Sequence, residues 1–81
     1  MNLFDTHVAV VRSLVALSAG DQRLALRFGR DALAAAAIPA SRMCALPVLA
    51  ENEVAAGMTT EASNHIVEFL SHWVERPNSA I

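Results

Sequence analysis

Glu61, His65, Glu68, His72 and Glu75 follow one another at spacings of four, three, four and three residues, so on a helix they share one face. Carboxylates and imidazoles at that spacing can chelate a divalent cation. A buried metal site would need matching carboxylates turned inward from other helices, and Glu51 and Glu53 alone do not supply them. Ile66, Phe69 and Trp73 form a bulky apolar stripe opposite these charges. The spacing therefore predicts a solvated polar face and no stoichiometric metal.

Cys44 is the single cysteine, which excludes an internal disulfide, and no pattern of Cys and His supplies four zinc ligands. Its nearest candidate base, His7, is far away in sequence, and no nucleophile motif surrounds either residue. Arg23, Arg27 and Arg30 could grip an acidic partner. The simpler expectation is a helix surface with an Arg27–Asp31 pair. Gly20, Gly29 and Gly57 are isolated, so there is no phosphate-cradling loop. The expectation is no enzyme, no catalytic residue and no cofactor.

The elements that must position these residues are helices. The chain has 81 residues, of which 54% are hydrophobic and 17% charged, with a net charge of −2. It is alanine-rich, which suits helices, and no segment alternates with period two. So small a fold buries only about 60% of its unfolded surface, so apolar area should remain outside the core. The slight acidity argues against a nucleic-acid partner. The apolar run from Val8 to Ala19 is short and broken by Arg12, and Met1 to Asp5 lack the positive start of a signal peptide. A cytoplasmic protein without a membrane partner is expected.

Asp5 or Thr6 is read as capping a first helix with apolar stripes Val8, Val11, Val15 and Val10, Leu14, Leu17, leaving Arg12 and Ser13 to water. Gly20-Asp21 supplies a stop and the next cap. The second helix runs from about Gln22 to Ala37, with Leu24, Phe28, Ala32 and Ala35 inward and a small-residue strip at Ala25, Gly29, Ala32 and Ala36. Pro39 ends that segment. Ser41 is the expected cap of a third helix that ends at Gly57, and Pro47 makes it either begin near Leu46 or kink. The fourth starts after Thr59 or Thr60, stops before Pro77, and is expected to bury Ala62, Ile66, Phe69, Leu70 and Trp73. The predicted fold is all-α: one domain of four helices as two antiparallel hairpins, 5–37 and 41–76, with a flexible tail at 77–81. Phe28, Ile66, Phe69 and Trp73 are its expected core.

Sliding the chain by 37 residues aligns Ala19-Gly20 with Ala56-Gly57, Ala25 with Ala62 and Leu33 with Leu70. Gly20-Asp21, Ala25-Leu26 and Ala32-Leu33 resemble the turn and second helix of a tetratricopeptide repeat, and Leu49-Ala50, Gly57 and Ala62 resemble a second unit. The departures are Arg12 and Ser13 in place of the first helix's leucine and small residue, Pro47, Phe69 where alanine is usual, and a spacing above 34. The resemblance implies a concave surface, lined by the first helix of each pair, that receives a peptide or helix. Its residues would be His7, Val10, Leu14, Leu17 and Ser18 with Cys44, Glu51 and Val54. The function expected is a protein–protein interaction module: a small adaptor, chaperone or inhibitor. The alternatives are a self-assembling homodimer and, behind it, a metal protein using the histidines of the fourth helix.

Overall fold

The computed structural model describes the backbone of residues 3–75 and the side chains of residues 5–74; the Glu75 side chain, Arg76 and the expected tail at 77–81 lie outside these limits. Four helices follow one another: α1 (Leu3–Ser18), α2 (Gln22–Ala35), α3 (Pro39–Ala55) and α4 (Thr59–Glu75), with no strand among the described residues. The protein is an all-α small helical bundle. α1 packs along α2, both rest on α3, and α4 packs on α3 alone.

Both hairpin turns have the same backbone solution. Gly20 and Gly57 adopt φ of 81° and 79°, a left-handed conformation that a Cβ would strain. Around the first, the amides of Gly20 and Asp21 donate to the carbonyls of Leu17 and Ala16; around the second, those of Gly57 and Met58 donate to Val54 and Glu53. Each set closes the orphan carbonyls of a helix end in a Schellman motif. Asp21 then caps α2, its carboxylate accepting from the Leu24 amide at 3.1 Å.

Two caps differ from expectation. α1 already includes Thr6, whose side chain is fully buried, so it caps nothing. α3 starts at Pro39 rather than after Ser41, because proline has no amide to leave unsatisfied at the first helical position. Ile38, held extended before it, is the cap, and Ser41 is buried inside the helix. α3 then runs through Pro47 without a second start.

The core is made of small residues. Ala25, Ala32, Ala45, Leu46, Leu49, Ala50 and Ala62 are buried, and Leu46 and Leu49 are the largest apolar side chains among the fully buried. The bulky core expected from the amphipathic stripes does not form: Phe28 and Phe69 are half-buried, Ile66 is exposed and Trp73 is 62% exposed. Alanine and glycine explain the difference, because helices faced with them approach too closely to admit an aromatic ring. At Gly29 an added Cβ would come within 3.4 Å of the Leu49 Cα, so α2 and α3 nearly touch there.

A polar knot ties three helices at this point. Asn52 Nδ2 on α3 donates to Ser13 Oγ on α1 at 2.6 Å and to the Ala25 carbonyl on α2 at 3.1 Å, while Ser13 Oγ donates to the same carbonyl at 2.7 Å. Ser13, expected in water, is therefore fully buried. Each donor of the knot finds an acceptor, which offsets most of the cost of burying these groups, while Asn52 Oδ1 is buried without a hydrogen-bond partner.

Candidate interaction surfaces

The middle of the charged stripe of α4, His65, Glu68 and His72, turns toward α3 instead of lying fully in water as expected, beside the buried Ala62 and half-buried Phe69 of the expected inner stripe. Glu53 of α3 is 2% exposed and accepts from His65 Nδ1 at 2.8 Å. Arg42 of α3 grips Glu68 with two donors, Nη2 reaching Oε1 at 2.9 Å, and His72 reaches the same carboxylate at 3.1 Å. The Arg42 guanidinium, with help from His72, holds the Glu68 carboxyl down to about 2 and has its own proton held more tightly in return. Hydrogen-bonding partners on α3, Glu53 and Arg42, thus satisfy a face that would otherwise need solvent. Glu61 remains exposed at one end of the stripe.

The consequence is an uncovered apolar face. Val67, Leu70 and Val74 point away from α3, flanked by Ile66 and Trp73, with exposures from 39% at Ile66 to 77% at Val74. Ser63, Asn64 and Ser71 complete this face, which carries no charged side chain from Ser63 to Val74.

On the other side of the molecule, His7 Nε2 lies 3.6 Å from Cys44 Sγ, although 37 residues separate them. With Ser13 meeting Asn52, this contact sets α1 and α3 side by side and running the same way. Leu14 and Leu17 are then level with Glu51 and Val54. Of the residues assigned to a concave surface, His7, Leu14, Ser18, Glu51 and Val54 are exposed. Leu17, Cys44 and Val10 are half-buried, Val10 lying against the Ala32, Ala36 and Ala45 cluster. Val11 and Val15 are also exposed, beside Leu24 and Phe28. Arg12 projects over the Phe28 ring, 5.8 Å from its centroid.

The arginines of α2 do not form a patch with a carboxylate. Arg27 and Asp31 make no ion pair, and Arg30 reaches Met58 Sδ at 3.7 Å. Arg30 borders a groove of about 520 Å³ floored by Leu49 and edged by Glu53, Glu61 and His65. Among the described residues, no three His, Cys, Asp or Glu side chains converge as metal ligands, and no helix is long and apolar enough to cross a membrane. Sequence reasoning missed Ser13, Asn52 and Glu53 as buried groups; nothing in their local pattern distinguishes them from surface residues. No protein family, curated protein or solved structure matches the chain.

Proposed function

We propose that this protein is a non-enzymatic protein–protein interaction module, a small adaptor, chaperone or inhibitor that receives a segment of another protein along the α1–α3 side. One observation carries the reading: an alanine-built core leaves large apolar side chains in solvent, with Leu14 at 44% and Val54 at 59% exposure on helices that run side by side. Scattered apolar residues need no explanation, but a band along two adjacent helices is the surface an amphipathic segment can cover. Leu14 and Leu17 would supply apolar contact, and His7, Ser18 and Glu51 a polar margin.

The test is capture of partners from its native cells by the tagged chain. One defined protein in stoichiometric amount is expected, with capture abolished by Leu14→Arg and by Val54→Arg at unchanged helicity in circular dichroism. A chain that captures nothing, or whose capture ignores both substitutions, overturns the proposal.

A further inference from the structure

We infer that the outer face of α4 is a homodimer interface, formed by two α4 helices lying antiparallel about a two-fold axis beside Leu70. It uses a different surface from the α1–α3 side, so neither proposal depends on the other.

Charge is the first argument. An isologous interface brings each patch against its own copy, so a charge near the axis meets the same charge. The exposed residues from Ser63 to Val74 carry none, while the titratable side chains of that stretch, His65, Glu68 and His72, are occupied on the α3 side. A face built for an acidic or basic partner would carry the opposite sign. This one offers no sign at all, which suits a copy of itself.

Area is the second. Weighting each side chain by its exposure, Ile66, Val67, Leu70, Trp73 and Val74 present on the order of 400 Å² of apolar surface. Homodimer interfaces are about 65% apolar, so an apolar centre of this size corresponds to about 600 Å² per protomer with its polar rim. Twice that reaches the lower bound of stable interfaces, at about 1,200 Å². Among the described side chains, Ser63, Asn64 and Ser71 can supply the rim without desolvating a charge.

Geometry chooses the orientation. With the axis beside Leu70, Leu70 meets the partner's Leu70, Trp73 packs on the partner's Val67, and Val74 on the partner's Ile66. Each bulky group then meets a smaller one. A parallel pairing sets Trp73 against the partner's Trp73 and aligns the two helix dipoles head to head.

Sedimentation equilibrium across micromolar concentrations tests this on the full chain. A monomer–dimer equilibrium is expected, with emission of Trp73, the only tryptophan, shifting to the blue as the dimer forms. Leu70→Arg should weaken association by about a hundredfold or more while helicity is unchanged, since two guanidinium groups then meet at the axis. Val67→Glu serves as a second variant if Leu70→Arg does not fold, and Val15→Arg on α1 should leave the dimer intact. A protein that stays monomeric throughout, or a dimer that survives Leu70→Arg and Val67→Glu, or one broken by Val15→Arg, overturns the inference. Because partner capture is read with Leu14→Arg and Val54→Arg, failure of either proposal is seen separately.

Discussion

Glu53 is the residue on which the α3–α4 interface turns. A carboxylate 2% exposed is tolerable only with a partner, and His65 is that partner. His65→Leu should therefore cost about 3 kcal/mol in urea unfolding, whereas combining it with Glu53→Leu should recover most of the loss, because an apolar pair leaves no uncompensated group. A double variant no more stable than the single would show that Glu53 is satisfied by other means. Glu68 makes a second, pH-readable prediction. Its carboxyl is lowered from 4.5 to about 2 in the folded protein, chiefly by the hydrogen bonds from Arg42. The stabilisation is complete above pH 4.5 and is lost as pH falls towards 2, since below that both folded and unfolded chains hold the proton. Thermal melts from pH 5 to 2 should fall more steeply for the wild type than for Glu68→Gln. Because Glu68 is about a third exposed, the difference should shrink in high salt.

At the scale of elements, helix identity came from local signals and helix orientation did not. Gly20 and Gly57 stop α1 and α3 as their positions imply. Gly20→Ala and Gly57→Ala should each cost about 1 to 2 kcal/mol, the strain of a left-handed alanine, with no clash to add, because nothing lies within 4 Å of either added Cβ. Calorimetric melts decide this. α4 is the instructive element. Its two stripes were both legible in the sequence, yet which of them turned inward depended on α3, whose Arg42 and Glu53 receive the polar one. Leu49→Ala should thus cost about 2 to 5 kcal/mol, as a fully buried leucine does. Trp73→Ala, measured in dilute dissociated protein, should cost well under half of that, since most of the indole is already in water. Equal losses at the two positions would place Trp73 in the monomer's core after all.

For the molecule as a whole, the order of packing sets an order of stability. α1, α2 and α3 enclose the alanine core and share the knot of Ser13, Asn52 and the Ala25 carbonyl, whereas α4 leans on α3 only. An element held on one side opens at lower free energy than the enclosed ones. In the monomeric Leu70→Arg protein, amide hydrogen exchange should be faster along α4 than along α2 and the second half of α3. Uniform protection of all four helices would mean the bundle opens as a unit.

The sequence by itself determined that the chain is helical, where its two glycine turns fall, and that Asp21 caps α2. These follow from interactions within a few residues: a glycine at positive φ, a carboxylate three residues before an amide, a periodicity of apolar side chains. It also held the strip of small residues that brings α2 close to α3. Only the tertiary structure decided which side of α4 meets α3, that Ser13 and Asn52 are buried, and that His7 stands beside Cys44. The physical reason is that burial depends on what another segment offers. A stripe of charges goes inward when the facing helix carries their partners, and an apolar stripe stays outside when the space beneath is already filled by alanine.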